Sequence, residues 1–241
     1  MNTIPHPEIP VEERLIFALD VADVARAREL VDRLGDSVRF YKIGLELFMA
    51  DGFFEFLDEL RERGKKIFVD LKFFDIPATV AAAVRQLSAR GAHLCTIHGN
   101  QAIMEAAAAE RDGHLQVLAV TALTSLDRGD LEDLGFECDV EELVLSRARR
   151  ALEAGCDGVV ASGMEAARLR ETVGNRLLVV TPGVRPVSNQ EVDDQQRVVT
   201  VAEAFRHGVD HIVVGRPIRN AENPRAAAEA IQASIRECFE S

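Results

Sequence analysis

The chain has 241 residues, 47% of them hydrophobic, and a formal net charge of −12. That length suits two small domains or one α/β barrel of about 250 residues. The acidity argues against a general nucleic-acid or anionic-membrane surface, so any phosphate site has to be a local device.

Taken in order, residues 1–12 read as a loose polar leader. The prolines there (Pro5, Pro7, Pro10) leave no apolar core for a signal peptide, and no run in the chain approaches the roughly 20 apolar residues of a membrane span. Leu15-Ile16-Phe17-Ala18-Leu19 is the first apolar run and ends in Asp20. Val24, Ala27, Leu30, Val31 and Leu34 then recur at helical spacing as far as Gly35. A second run, Val38–Ile43, carries Lys42 near its end, and a helix is expected over 45–63. The third run, Ile67–Lys72, precedes a helix over 77–90 that Pro77 opens and Gly91 closes. The alternation continues with Leu94–Ile97, ending at His98, and an Ala-rich helix. Val117–Val120 ends at Thr121 and leads through a longer loop to a helix near 140–154. Gly158–Ala161 ends at Ser162, Leu177–Val180 at Thr181-Pro182-Gly183, and His211–Val214 at Gly215-Arg216.

Short strands almost continuous in Val, Ile and Leu are buried on both faces, as in a parallel sheet. Eight such β-α units without a linker or a composition break point to a single (β/α)8 TIM barrel over residues 1–241. A doubly wound sheet would need a Gly-rich G-x-G-x-x-G turn after the first strand, and none follows Asp20. Barrel sites lie at the C-terminal ends of the strands. Those ends hold Asp20, Lys42, Asp70, Lys72, His98, Thr121, Ser162, Thr181 and Arg216, whereas the opposite ends hold ordinary solvated residues.

Asp70, Lys72 and Asp75 put acid, base and acid within six residues. On an extended strand Asp70 and Lys72 share a face. The plain alternative is an ion pair closing the barrel mouth, but barrel interiors are filled by branched apolar layers and need no charges. Flanking carboxylates favour the ammonium form of Lys72, which suits a general acid or an electrostatic anchor better than a Schiff-base nucleophile. Val214-Gly215-Arg216-Pro217 has the form of a phosphate loop: glycine lets backbone N–H groups approach an anion, and the loops after strands seven and eight are the usual barrel phosphate site. Gly183–Gln196 has no periodicity and could be a lid or a solvated excursion. His93 and His98 straddle strand four, and His207 and His211 are separated by a glycine, so no metal site is read. The four cysteines (Cys95, Cys138, Cys156, Cys238) are widely spaced with no C-x-x-C pair, as expected of free thiols in a reducing cytosol.

At Asp70-x-Lys72-x-x-Asp75-Ile76-Pro77-x-Thr79-Val80 the sequence resembles the orotidine 5'-phosphate decarboxylases. Leu19-Asp20, Tyr41-Lys42-Ile43-Gly44, Val120–Ser125, Thr181–Arg185, Asp193-Asp194-Gln195 and Val214–Ile218 resemble that family's other landmarks, in its order. The resemblance implies a cytoplasmic, cofactor-free and metal-free lyase that converts orotidine 5'-monophosphate to UMP and CO2, the last step of de novo UMP synthesis. It implies Lys72 as proton donor to C6 of the pyrimidine, Asp70 against the departing carboxylate, and Lys42, Asp70, Lys72 and Asp75 as an alternating charge network. Asp20 and Lys42 would contact the ribose, Thr124 or Ser125 the pyrimidine edge, and Pro182, Arg185, Gln195, Gly215 and Arg216 the ring and phosphate. Asp75, Ile76 and Thr79 would reach a neighbouring subunit's site, which makes the expected unit a homodimer. His98-Gly99-Asn100-Gln101 matches only loosely, so no catalytic role passes to His98. The nearest rivals are the Mg2+-dependent hexulose-phosphate synthases and ketogulonate-phosphate decarboxylases, which share Asp-x-Lys-x-x-Asp but typically continue with Ala-Gly where this chain has Ile76-Pro77. A barrel kept only as an interaction scaffold would not need a complete set of charged strand ends.

Overall fold

A computed structural model describes residues 9–111, 114–185 and 199–239. After a 3-10 turn at Val11–Glu13, the first half runs β1 (Leu15–Ala18), α1 (Val24–Leu34), β2 (Phe40–Gly44), α2 (Leu45–Phe48), α3 (Phe53–Glu62), β3 (Lys66–Phe73), α4 (Pro77–Ala89), β4 (Leu94–Ile97) and α5 (Gln101–Ala109). The second half runs β5 (Gln116–Val120), α6 (Arg128–Asp133), α7 (Val140–Glu153), β6 (Gly158–Val160), α8 (Ala166–Val173), β7 (Leu178–Pro182), β8 (Val184–Arg185), β9 (Val199–Thr200), α9 (Val201–Arg206), β10 (His211–Val214), α10 (Arg216–Arg219) and α11 (Pro224–Phe239). Eight of the strands close a parallel barrel in the order β1-β10-β7-β6-β5-β4-β3-β2. The chain is a single-domain TIM barrel, as its alternating pattern requires.

Local chemistry accounts for several element ends. Asp23 caps α1 by accepting the Arg26 N–H at 2.8 Å, and Gly35, at φ 52°, ends that helix in a backbone region costly for other residues. Asp139 with Glu142, and Thr200 with Glu203, form reciprocal capping boxes on α7 and α9. The helix expected over 45–63 is two helices, because Asp51-Gly52 makes a turn with Gly52 at φ 80°. Within Gly183–Gln196 only residues 183–185 are described. Val184 and Arg185 pair in parallel with Val199 and Thr200 as a small ladder beside the barrel.

Period-2 alternation divides each strand between two cores. One lies between the sheet and the helices and includes Leu15, Phe17, Tyr41, Ile43, Ile67, Val69, Cys95, Ile97 and Val179. The other fills the barrel: Ile16, Ala18, Phe40, Phe68, Leu94, Leu118, Leu178, Val180 and Val213. The floor of the barrel is more than a solvated edge. Ile9 packs against the interior cluster, Lys66 pairs with Glu13 at 2.5 Å, and the buried His211 meets the Phe40 ring edge-on with its Nδ1 3.0 Å from the Glu13 carbonyl. Within the described part of the expected leader, Ile9 and Val11 pack against the two cores, whereas Pro10 and Glu12 are exposed.

Candidate active site

Two residues beyond the apolar layer, the same interior-facing positions become polar. Phe40 is followed by Lys42, Phe68 by Asp70 and Leu94 by Thr96; Val213 is followed by Gly215. Strand register sets these groups side by side: Ala18 pairs with Lys42, Gly44 with Asp70, and the Leu19 N–H donates to the Lys42 carbonyl at 2.9 Å. A ladder of alternating charge results. Lys42 Nζ lies 3.0 Å from Asp20 Oδ1 and 3.5 Å from Asp70 Oδ2, and Lys72 Nζ lies 2.9 Å from Asp70 Oδ1. Gly44 allows this crowding, since a Cβ there would stand 3.2 Å from Asp20 Oδ1 and 3.3 Å from Lys42 Nζ.

Burial opposes the charged form of Lys42, but the Asp70 and Asp20 carboxylates outweigh it and hold the ammonium above its ordinary pKa. Burial likewise opposes the Asp70 carboxylate. Lys42 and Lys72, with hydrogen bonds from Lys72 and Thr96, overcome that and hold Asp70 below the usual carboxylate range. The ladder is thus a self-neutralising set of fixed charges. Asp20 and Asp70 face each other across the Lys42 ammonium, which already supplies their cation. Among the described residues no group of three or more His, Cys, Asp and Glu side chains could hold a metal ion.

The ladder forms one wall of a cavity of about 450 Å³ at the C-terminal mouth of the barrel. Its lining includes Ala18, Val120, Val160 and Val213 from the barrel strands, Leu123 and Thr124 from the segment after β5, and Pro182, Arg185, Gly215 and Arg216 at the ends of β7, β8 and β10, where β7 and β10 stand four and three places round the barrel from β3. Gly215 packs tightly against β1: a Cβ there would meet the Ala18 Cβ at 3.3 Å. Of the fourteen site residues expected from sequence, Asp20, Lys42, Asp70, Lys72, Thr124, Pro182, Arg185, Gly215 and Arg216 line this one cavity. Thr124 lines it, whereas Ser125 is exposed and does not. Asp75, Ile76 and Thr79 are exposed and lie outside it; the Asp75 side chain accepts its neighbour's Ile76 N–H at 2.6 Å. Gln195 lies outside the described residues.

Other polar strand ends do not line this cavity. Thr121 Oγ1 donates to the Val160 carbonyl at 2.8 Å, and Thr181 is fully buried. Both sit one residue out of phase with the interior positions Val120 and Val180. His98 packs edge-on against Phe74, 3.5 Å from Arg147, and burial followed by Arg147 and Lys72 lowers its pKa.

Two contributors escaped the sequence reading. Arg219 lines the cavity and its Nη1 donates to the Asp20 carbonyl, tying α10 to the end of β1. Thr96 Oγ1 lies 2.8 Å from Asp70 Oδ1 and 2.9 Å from the Lys72 backbone N. Its signal was available: it is the one hydroxyl in the apolar Leu94–Ile97 strand.

Fold and site together define the class, a TIM barrel with a charged cavity built at the C-terminal ends of its strands. Residues 13–231 match the family described as Orotidine 5'-phosphate decarboxylase / HUMPS. The chain is 61% identical over 238 residues to orotidine 5'-phosphate decarboxylase of Methylococcus capsulatus, covering 99% of this chain and 98% of the relative. It is 54% identical over 236 residues to the Stenotrophomonas maltophilia protein of the same name, covering 98% and 97%. The crystal structure of orotidine 5'-phosphate decarboxylase from Lactobacillus acidophilus superposes with a TM-score of 0.81 at 35% identity, covering 92% of this chain and 99% of that one. The chain belongs to the orotidine 5'-phosphate decarboxylase / HUMPS family.

Proposed function

We propose that the protein is a carboxy-lyase that converts orotidine 5'-monophosphate to UMP and CO2 in pyrimidine biosynthesis, using side chains alone. The observation that carries this reading is the Asp20–Lys42–Asp70–Lys72 ladder in a cavity that Arg185, Gly215 and Arg216 also line. A nucleoside monophosphate has the matching polarity, with an anionic phosphate at one end and the reacting ring at the other.

In this reading Arg185, Gly215 and Arg216 take the phosphate, with Gln195 as a further contact. Asp20 and Lys42 hold the ribose, and Thr124 and Pro182 meet the pyrimidine. The substrate carboxylate then points toward Asp70. As the C6–carboxyl bond breaks, CO2 departs and the electron pair stays on C6, where no ring carbonyl or imine sink receives it. The Lys72 ammonium stabilises that charge and then gives C6 a proton, leaving a neutral amine that recovers its proton from water. Catalysis of this kind rests on electrostatics and positioning. Phosphate binding energy offsets the crowding of the substrate carboxylate against Asp70.

Exposure of Phe74 (70%) and Ile76 (66%) supports a homodimer in which Asp75, Ile76 and Thr79 complete the neighbouring subunit's site. The described residues include no helix long and apolar enough to cross a membrane, and the reading carries with it a cytoplasmic location. The Mg2+-dependent branch is disfavoured by Ile76-Pro77 and by the Lys42 ammonium between Asp20 and Asp70. The test is loss of the orotidine 5'-monophosphate absorbance, followed with and without EDTA. Turnover that survives EDTA is expected; turnover that disappears with it overturns the reading.

A further inference from the structure

Asp70 and the backbone of Lys72 converge on one buried hydroxyl across the sheet. Strands β3 and β4 pair regularly at Phe68–Leu94 and Val69–Cys95, then resume at Phe73–Ile97. Asp70, Leu71 and Lys72 therefore stand opposite Thr96 alone, and β3 bulges. Lys72 sits at φ 48°, the one non-glycine residue with positive φ among the described residues. A non-glycine residue held there costs of order 1–3 kcal/mol unless its surroundings enforce it.

Thr96 supplies that enforcement. Its side chain is fully buried, and its oxygen accepts the Lys72 N–H at 2.9 Å, a donor that the bulge has moved off the regular ladder. A hydroxyl has one proton. With the amide as donor on one side, that proton goes to Asp70 Oδ1 at 2.8 Å. The same Oδ1 takes the Lys72 Nζ hydrogen bond at 2.9 Å, which leaves Oδ2 facing Lys42 at 3.5 Å. One hydroxyl thus restrains the rotation of the Asp70 carboxylate and the backbone from which the Lys72 side chain leaves.

We propose that Thr96 is a positioning residue for the decarboxylation, setting the Asp70–Lys72 geometry without touching the substrate. The role rests on the decarboxylase reading above. It goes beyond that reading because no sequence landmark of the reaction includes this residue.

The test compares Thr96→Val, which keeps the shape and removes both hydrogen bonds, with Thr96→Ser, which keeps them. Losing a buried hydroxyl that serves two polar groups should lower kcat roughly 10- to 100-fold in Thr96→Val. KM for orotidine 5'-monophosphate and affinity for UMP should stay within about threefold, as expected for a residue that does not itself contact the ligand. Thr96→Ser should recover most of kcat. A substrate-free readout is the Asp70 carboxyl titration by 13C NMR: its midpoint should rise in Thr96→Val and return in Thr96→Ser, because the Thr96 bond stabilises the carboxylate.

Wild-type kcat in Thr96→Val, an unmoved Asp70 titration, or failure of serine to restore either one overturns the positioning role. A parallel loss of UMP affinity and kcat also overturns it, because general structural damage then explains both. Should Thr96→Val not fold, Thr96→Cys, with a weak thiol donor, takes its place and should rank below serine in kcat. Wild-type protein that does not decarboxylate, yet shows the Asp70 shift on substitution, separates failure of the functional reading from failure of this one.

Discussion

Lys72→Ala separates catalysis from scaffold most cleanly. Lys72 Nζ is 2.9 Å from Asp70, and its side chain is 34% exposed. A charge-assisted hydrogen bond contributes about 1.5–3 kcal/mol, and solvent screening at this exposure brings the expected cost down to about 1–2 kcal/mol. Asp70 keeps Lys42 at 3.5 Å and Thr96 at 2.8 Å, so its charge is not stranded. For a chain of this size the melting temperature should fall by roughly 2–8 °C and leave a folded protein. Loss of the proton donor removes a general-acid factor of about 10²–10⁴, and loss of the fixed positive charge beside C6 removes a further ~10²–10³. Decarboxylation should therefore drop by at least about 10⁴-fold while UMP still binds. The assays are absorbance loss of orotidine 5'-monophosphate, calorimetric titration with UMP, and a thermal melt on the same preparation. Near-normal turnover would refute the proton-donor role. A collapsed melt would show that Lys72 holds the mouth together and would refute the energetic reasoning instead.

Arg216→Ala should raise KM for orotidine 5'-monophosphate far more than it affects orotidine, which lacks the phosphate; equal losses on both substrates would rule out the phosphate assignment. Mixing Asp75→Asn with Lys72→Ala protein should regain activity, because a hybrid dimer that shares sites carries one intact set, and a mixture that stays inactive counts against sharing. The third concerns acid stability. Burial lowers the His211 pKa from 6.5 to about 4, so between those values the unfolded chain binds a proton that the folded one refuses. Stability is then complete above pH 6.5 and falls as pH drops toward 4, by up to ~3 kcal/mol. His93, also lowered by burial, acts in the same direction. The urea midpoint should decline across this window and decline less in His211→Asn, whose amide can still donate to the Glu13 carbonyl; identical slopes in the two proteins would exclude His211 as the source.

The eight strand-helix units were legible because apolar runs and helical spacing are local properties of sequence, and a buried parallel strand shows no polar face to confuse the pattern. The same pattern puts Asp20, Lys42, Asp70 and Arg216 at strand ends, and fold rules then gather them on one rim. Local sequence also ended α1 at Gly35 and started α4 at Pro77. Where it misled, in the helix over 45–63, a single Asp51-Gly52 turn overrode the helical average.

Tertiary structure decided which rim residues face inward. Thr121 and Thr181 look as functional in sequence as Asp70, but strand phase turns them away from the cavity. Only cross-strand register places Lys42 between Asp20 and Asp70, since its neighbours in the chain are Tyr41 and Ile43. Thr96 belongs to the same category. A threonine in an apolar strand is unremarkable until the β3 bulge leaves Lys72 without a ladder partner and Asp70 with an oxygen to satisfy. The charges were written in the chain; their order in space follows from a register that is a property of the closed sheet.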